Sequence, residues 1–267
     1  MSLPAGAVRV GLPGGGDAVL AEEVPVALVF EGVTQAVMMA TPVDLEDFYL
    51  GFALTEGLIA AAGDLLRSET VVQERGVELR GWLAAPAAAR FAARRRAMAG
   101  PVGCGLCGLE SLSEALRPLP RAPRGAGGWG AALALGAPAP RASAALQALR
   151  EAQVLHDAVR ATHAAGFWCD GRLLLCREDV GRHNALDKLA GALARAGITP
   201  GTGALVITSR LSVDLVQKAA MIGAGALIGA SSPTALAVEE ARKAGLALIA
   251  RGPDGLVLFC APEEGKA

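Results

Sequence analysis

The order of patterns across residues 204–250, ALVITSRLSVDLVQKAAMIGAGALIGASSPTALAVEEARKAGLALIA, decides the fold class. Three short apolar strands alternate here with two helical patterns, and the segments are Ala204–Thr208, Ser212–Gly223, Ala226–Ile228, Pro233–Ala244 and Ala247–Ala250. Such alternation is typical of a layered α/β sheet. Ligands of these sheets usually bind at the carboxyl ends of the strands, where loops lead into helices. The turns that follow the three strands are therefore the first places to search for a site.

The same alternation extends in both directions from this stretch. Before it, the pattern predicts a helix, two strands around the turn Asp170-Gly171 and a second helix, at Ala142–Thr162, Gly166–Trp168, Leu173–Cys176 and Ala185–Ala196. After it come the turn 253–255 and a last strand, Leu256–Phe259. Residues 141–267 are therefore expected to form one C-terminal α/β domain.

The front of the chain predicts a smaller N-terminal α+β domain over residues 1–117. Its expected elements are a hairpin, a helix, a strand pair and a second helix, at Val24–Phe30 with Ala36–Met39, Asp44–Ile59, Val71–Leu83 and Ala87–Ala99. Thr41 is the predicted N-cap of the first helix, and Pro42 would occupy its first position. Residues 118–140 are rich in Pro, Gly and Ala without a strong period, which indicates a linker.

The composition is that of a core-forming globular chain. Its 267 residues carry 25 Lys plus Arg against 26 Asp plus Glu, a net charge of -1, and 52% of them are hydrophobic. The near-zero charge argues against nucleic acid as a partner, because proteins that track phosphates carry a basic excess. The start of the chain lacks the pattern of a secretory signal, and Gly and Pro interrupt the uncharged stretch between Lys218 and Glu239. We therefore expect a cytoplasmic protein without a membrane partner.

Five cysteines, an odd number in a long chain, indicate thiols rather than a disulfide framework. Cys104 and Cys107 lie in the glycine-rich stretch GCGLCG, which predicts an accessible loop with reactive thiols. Sulfur or redox chemistry is the favoured interpretation of this pair, and half of a zinc site or an incidental pair are the alternatives. Cys169, Cys176 and Cys260 lie in or beside apolar strands and are expected in the core.

The polar run 177–184, REDVGRHN, lies between an apolar strand and a helix. Buried charges without partners are costly, so this run predicts either a binding site or an internal network of ion pairs. In a binding site, Asn184 or His183 near the helix start would meet a phosphate, and Arg182 would supply a planar fork for a diphosphate. Asp179 or Glu178 would accept a hydrogen bond from a guanine edge or a ribose hydroxyl.

Two further loops follow strands of the predicted sheet. Residues 208–212, TSRLS, and residues 231–234, SSPT, carry hydroxyl groups, and the first loop also carries an arginine. Such turns suit phosphate, although Ser212 is also an N-cap candidate. His163 follows a predicted helix beside these turns, where both a ligand role and a structural role are open.

Four motifs, in this order, are similar to those of the FdhD family, the formate dehydrogenase accessory sulfurtransferases: CGLCG, EDVGRHNALDKL, SRLSVDLVQKAA and SSPTALAVEEA. The segment TPVDLEDFYLGFALTEGLI also resembles the N-terminal motif of that family. The resemblance implies a cytoplasmic protein that accepts persulfide sulfur from a cysteine desulfurase. It implies delivery of that sulfur to the molybdenum of a bis-molybdopterin guanine dinucleotide cofactor, before insertion into the formate dehydrogenase catalytic subunit. It further implies a C-terminal fold similar to cytidine deaminases, and a homodimer.

Residue by residue, the resemblance implies two functional groups. Cys104 and Cys107 match the loop cysteines of the family, and Cys104 is the expected persulfide carrier, whereas no resident metal is expected. The expected contacts to the guanine dinucleotide are His163, Asp179, Gly181, Arg182, His183, Asn184, Arg210, Ser212, Ser232 and Thr234, with the stretch Ala250, Arg251, Gly252, Pro253 and Asp254.

Two departures from the family pattern lie beside these residues. The family usually has Thr-Gly-Gly where this chain has Val159-Arg160-Ala161, and Ser-Gly-Arg where this chain has Thr208-Ser209-Arg210. Both departures replace glycine with bulkier residues near the expected ligand. The affinity or the pose of the nucleotide is therefore expected to differ from that in the family.

Two other functions compete with sulfur transfer. A zinc deaminase needs the motifs H-x-E and P-C-x-x-C, but His156, His163 and His183 are each followed two residues later by alanine. That departure excludes a deaminase of this type. A non-catalytic chaperone that binds the molybdenum cofactor without moving sulfur stays open as the alternative.

Overall fold

The computed structural model describes residues 3–98, 118–122 and 138–261. The front of the chain forms β1 (Ala7–Gly11), β2 (Asp17–Ala21), β3 (Val24–Phe30), β4 (Val33–Ala40), α1 (Leu45–Thr55), β5 (Leu65–Gln73), β6 (Gly76–Leu83) and α2 (Ala85–Met98). The back forms α3 (Pro138–Glu151), α4 (Val154–Val159), β7 (His163–Cys169), β8 (Arg172–Asp179), α5 (Arg182–Arg195), β9 (Ala204–Ile207), α6 (Val213–Met221), β10 (Ala226–Gly229), α7 (Ala235–Ala244), β11 (Ala247–Gly252) and β12 (Gly255–Cys260).

The back of the chain builds a six-stranded sheet in the order β12-β11-β10-β9-β7-β8. Strands β9, β10 and β11 are parallel, and α6 and α7 connect them. Strand β7 runs antiparallel to β9, while β8 and β12 form the two edges. The predicted α/β class is therefore confirmed, and the likeness to cytidine deaminases stays a prediction.

Helices cover both faces of this sheet. Phe167, Leu205 and Leu227 share a buried cluster with residues of α5, α6 and α7 on one face. Val206 and Ile228 belong to the cluster on the opposite face, against α3. Successive side chains of a strand point to opposite faces, so a strand covered on both faces must be apolar at every position. This explains why β9 is the uninterrupted run ALVI, buried at all four residues.

The front of the chain forms a second sheet in the order β4-β3-β6-β5. Helix α1 packs on it through Phe48, Tyr49 and Phe52, which are buried together with Phe30 of β3. The rings of Phe30 and Tyr49 stack with their centroids 4.5 Å apart. A preceding hairpin of β1 and β2, which the sequence pattern did not predict, lies beside α4.

Helices α1 and α5 cross at two glycines and thereby join the front of the chain to the back. A Cβ at Gly51 would overlap the carbonyl oxygen of Asp187, and a Cβ at Gly191 would overlap that of Asp47. Only glycine allows two helix backbones to approach so closely. Beside the crossing, the Asp187 carboxylate pairs with Lys218 Nζ of α6 at 2.9 Å.

Two predictions of helix bounds were wrong. The helix expected over Ala142–Thr162 is divided into α3 and α4, and α4 ends where Arg160 adopts a left-handed φ of 54°. Thr41 does not cap α1, which begins at Leu45 after Asp44 in the N-cap position. Thr41 instead contacts the back of the chain, as described below.

The ends of the predicted linker 118–140 fall among described residues. Residues 138–140 form the first turn of α3. Backbone N–H groups in the first turn of a helix have no acceptor within the helix, so proline, which lacks an N–H, loses no hydrogen bond there. The Ala122 amide N–H donates to the Ala244 carbonyl oxygen at 2.7 Å, at the end of α7. The domain bounds themselves stay predictions. Within the residues that the structure describes, no helix has the length and apolar character needed to cross a bilayer.

Candidate functional site

Several chain segments converge at one edge of the six-stranded sheet. The carboxyl ends of β9, β10 and β11 lie at this edge because the three strands are parallel. Strand β7 runs in the opposite direction, so its first residue, His163, reaches the same edge and pairs with Asp179, the last residue of β8. The structure thus brings the predicted contact residues between His163 and Asp254 to one end of the sheet.

A cavity of about 690 Å³ opens at this edge. Helix α3 and the chain that follows it supply one wall, which includes Gln147, Arg150 and Gln153. The ends of the sheet strands supply the opposite wall, which includes Thr208 and Arg251. Functional pockets for small molecules have volumes of roughly 300–1,000 Å³, so this cavity has room for a ligand of that kind.

The charged lining of the cavity is cationic. Arg150, Arg160 and Arg251 line it together with His156 and His163, and no carboxylate of residues 3–98, 118–122 or 138–261 does so. A guanidinium group presents N–H donors in a fork that matches phosphate oxygens. The cavity therefore suits an anionic ligand that carries phosphate.

His163 is a half-buried imidazole of this lining. Burial lowers its pKa, and the neighbouring charge of Arg182 lowers that pKa further. The ring is therefore neutral at pH 7 and offers one N–H donor and one acceptor nitrogen. The Nδ1 atom of His156 lies 2.9 Å from the carbonyl oxygen of Thr162. Because a carbonyl oxygen only accepts, this contact assigns the proton to Nδ1.

Asp179 is fully buried, and the protein itself uses its carboxylate. The carboxylate accepts hydrogen bonds from the backbone N–H groups of Thr41 at 3.1 Å and Gly181 at 2.7 Å, and from Asn184 Nδ2 at 2.9 Å. It also pairs with Lys188 Nζ at 2.7 Å. These contacts hold the turn between β8 and α5 against the front of the chain. Contact of Asp179 or Asn184 with a nucleotide stays a prediction.

The two residues before Asp179 also make internal contacts. Arg177 pairs with the Asp47 carboxylate of α1 at 2.7 Å. Glu178 accepts from two backbone N–H groups at the start of α4, both at 2.8 Å, where a carboxylate is favoured by the unpaired amides of a helix N-terminus. An internal network thus accounts for Arg177, Glu178 and Asp179. Such a network of ion pairs was one of the two interpretations of the polar run 177–184.

Arg182 and His183 lie in the first turn of α5 and are partly exposed. His183 Nε2 is 3.5 Å from Asp214 Oδ2, and the interaction with His183 lowers the pKa of Asp214. Gly181 precedes them at a crowded point, since an added Cβ would lie 2.7 Å from Asn184 Nδ2. A side chain at Gly181 would therefore displace the amide that holds Asp179.

The loops after β9 and β10 carry hydroxyls that bond locally. Ser212 Oγ donates to Asp214 Oδ2 at 3.2 Å, and Ser232 Oγ donates to the Arg251 carbonyl oxygen at 2.9 Å. Arg210 is exposed at the tip of the first loop. The loops are adjacent, because the Leu211 N–H donates to the Ser232 carbonyl oxygen at 3.3 Å.

The remaining predicted contacts lie at α7 and β11. Thr234 Oγ1 accepts from the Ala237 N–H at 3.2 Å and caps α7, which gives it a structural role. In the stretch Ala250–Asp254, the first three residues end β11 and the last two form the turn into β12. Arg251 Nε donates to the Ala230 carbonyl oxygen at 3.2 Å, which holds the guanidinium at the cavity wall.

Cys104 and Cys107 lie outside the described residues. Cys169, Cys176 and Cys260 are free thiols, and burial raises the pKa of Cys176 to about 12. Cys260 is buried as expected, whereas Cys169 and Cys176 are only partly buried. Because the thiolate is the reactive form, the raised pKa makes Cys176 unsuited to sulfur transfer. Within the described ranges, no three His, Cys, Asp or Glu side chains are grouped as a metal site requires.

Comparison with known proteins gives the chain its relatives. The model of the FdhD/NarQ family matches residues 21–263. The chain belongs to this family. The sulfur carrier protein FdhD of Agrobacterium fabrum is 47% identical over 251 residues, which are 93% of this chain and 90% of the relative. The sulfur carrier protein FdhD of Bordetella petrii is 47% identical over 234 residues, 86% of this chain and 80% of the relative.

A solved structure shares the fold of this FdhD/NarQ chain. It is the crystal structure of a protein from Desulfotalea psychrophila assigned as a formate dehydrogenase accessory protein, with a TM-score of 0.66 and 28% identity. The match covers 96% of both chains. The family resemblance inferred from the four motifs is therefore confirmed.

Sequence reasoning missed the helical wall of the cavity in this FdhD/NarQ chain. Gln147, Arg150 and Gln153 lie outside the motifs that carried the resemblance. In one helix that continued to Thr162, they would have been interpreted as ordinary polar surface residues. The available signal was the departure from the family pattern at Arg160. Arg160 lies three residues before His163 and lines the cavity.

Proposed function

We propose that this chain is a sulfur carrier that serves formate dehydrogenase. Cys104 accepts persulfide sulfur from a cysteine desulfurase, and the sulfur passes to the molybdenum of a bis-molybdopterin guanine dinucleotide, which is the cargo. The cargo then enters the formate dehydrogenase catalytic subunit. Family membership and the names of the relatives support sulfur transfer, and the name of the structural relative supports formate dehydrogenase as the client. The proposed setting is the cytoplasm, and the proposed assembly is a homodimer.

The observation that carries the nucleotide part of this proposal is the cavity at the sheet edge. It is lined by three arginines and two histidines without a carboxylate from the part of the chain that the structure describes. A guanine dinucleotide carries two linked phosphates, which match such a lining in charge and geometry. The residues present therefore fit the guanine nucleotide end of the proposed cargo.

The cysteine chemistry balances without an outside oxidant or reductant. The Cys104 thiolate attacks the terminal sulfur of the desulfurase persulfide, the S–S bond of that persulfide breaks, and the desulfurase cysteine leaves as a thiolate. For delivery, the Cys107 thiolate attacks the inner sulfur of the Cys104 persulfide. A Cys104–Cys107 disulfide forms, and the outer sulfur leaves as sulfide for the molybdenum. The two cysteines supply the two electrons that the sulfide carries away.

Intact-mass spectrometry after incubation with a cysteine desulfurase and cysteine tests this chemistry. The native chain is expected to gain one sulfur atom, whereas Cys104→Ala is expected to gain none. Cys107→Ala is expected to gain one sulfur atom and to retain it when the molybdenum cofactor is added as the acceptor. Cys169→Ala is the matched control, because it removes a thiol outside the proposed pair and should gain sulfur like the native chain.

Each other pattern of masses rejects a stated part of the proposal. Loss of the gain in Cys107→Ala but not in Cys104→Ala would reverse the assignment of the carrier. Absence of any gain in the native chain would reject sulfur transfer. If formate dehydrogenase matured normally with the Cys104→Ala, Cys107→Ala double variant, the cofactor chaperone would replace the sulfur carrier.

A further inference from the structure

The helical wall of the cavity contains a glutamine whose side-chain amide has no hydrogen-bond partner among the described residues. Gln153 lines the cavity and is only 5% exposed. Its backbone is fully used, since its N–H donates to the Arg150 carbonyl oxygen at 3.4 Å and its carbonyl accepts from the Asp157 N–H at 3.0 Å. Its side-chain amide, however, makes no hydrogen bond to any residue of the described ranges. The amide is not among the fully buried unpartnered atoms of the described residues, so it opens to the cavity and is available to a polar ligand there.

Two guanidinium groups flank this amide on the same wall. Arg150 is exposed at the end of α3, and no acidic residue of the described parts of the chain forms an ion pair with it. Arg160 Nη1 is 3.2 Å from Asp157 Oδ1, but both side chains are more than half exposed. Exposed ion pairs of this kind are weak, so the Arg160 guanidinium is free to turn toward an anion.

The backbone at Arg160 supports a role for its side chain. Arg160 ends α4 with a φ of 54°, in the left-handed region that favours glycine. Glycine would satisfy this conformation without strain, so the fold itself does not require arginine there. The Arg160 side chain lines the cavity and is therefore available for binding there.

We infer that Arg150, Gln153 and Arg160 form a phosphate-binding wall beside the predicted nucleotide contacts. Arg150 and Arg160 pair with the diphosphate of the guanine nucleotide, and Gln153 Nε2 donates to a phosphate oxygen between them. Arg251 faces them from the strand side of the cavity. The inference rests on the proposed function and names the residues that hold the nucleotide phosphates.

Calorimetric titration of the full chain with GDP and with guanosine tests this assignment. The variants are Arg150→Gln, Arg160→Gly and Gln153→Met, and the control is Arg242→Gln, which removes an exposed helix arginine from α7 instead. We expect the Kd for GDP to rise about tenfold for each arginine variant, the effect of one lost charged hydrogen bond. We expect a smaller rise for Gln153→Met and none for Arg242→Gln. The Kd for guanosine should stay the same in all four variants.

Arg160→Gly separates phosphate binding from folding, because glycine suits the left-handed backbone and should unfold at the same temperature or higher. A Kd for GDP within twofold of the native value in both arginine variants would overturn the inference and leave the proposed function intact. Equal losses for GDP and guanosine would also overturn it, since the wall would then contact the nucleoside. If the native chain bound neither compound, the inference and the nucleotide part of the proposed function would both fail, while sulfur loading would still be decided by mass.

Discussion

Replacing Lys188 by methionine is expected to remove about 3 kcal/mol from the free energy of unfolding. The Lys188 side chain is fully buried, with Nζ 2.7 Å from Asp179 Oδ2 and 2.9 Å from the Thr41 carbonyl oxygen. Removing one partner of a buried ion pair costs about 3–5 kcal/mol because the other charge stays buried. Asp179 keeps three N–H donors in the variant, which places the loss at the lower end of this range.

Thermal unfolding followed by circular dichroism measures this loss. For a chain of this size, 1 kcal/mol lowers Tm by about 2–4 °C, so Lys188→Met should lower it by roughly 6–12 °C. Arg9→Met is the control, because that guanidinium lies 3.7 Å from the Asp17 carboxylate with both side chains about half exposed, and such pairs contribute little. Adding Asp179→Asn to Lys188→Met should recover part of the loss, since the buried charge is then absent. Equal Tm values for Lys188→Met and Arg9→Met would refute this account of the buried pair.

Two further predictions concern the helix crossing and the cavity. Gly191→Ala should lose about 3 kcal/mol or more, because its Cβ would overlap the Asp47 carbonyl oxygen. Urea denaturation against Gly63→Ala, which has open space around it, checks this, and similar midpoints for the two variants would contradict it. Burial and Arg182 lower the pKa of His163, so NMR should show its imidazole titrating below pH 6.5 in the free chain. A bound phosphate favours the imidazolium, so GDP should raise this pKa and bind more tightly as the pH falls below 7; an unchanged titration with GDP bound would count against phosphate beside His163.

The alternating back of the chain was predictable because its signals are local. Strands such as β9 and β10 are uninterrupted apolar runs bounded by turn residues, and α6 and α7 carry a clear helical period between them. The hairpin of β1 and β2 was missed because its strands are short and largely exposed, which leaves a weak apolar pattern.

Long-range contacts set the limit of prediction at the site. Thr41 has the character of an N-cap, yet its N–H bonds the Asp179 carboxylate 138 residues away. No local pattern reports such a partner. Likewise, the charged run 177–184 indicated an important turn. Only the fold shows that Asp179 bonds within the protein, whereas the charge of Arg182 acts on His163.

The crossing of α1 and α5 constrains how the protein can change during evolution. Because the backbones touch at Gly51 and Gly191, the path of one helix can change only if the path of the other changes with it. A chimera that joins the front of this chain to the back of a relative inherits two halves shaped for different neighbours. The two halves are therefore expected to be inherited together, and recombination between relatives should succeed only when both helices come from the same parent.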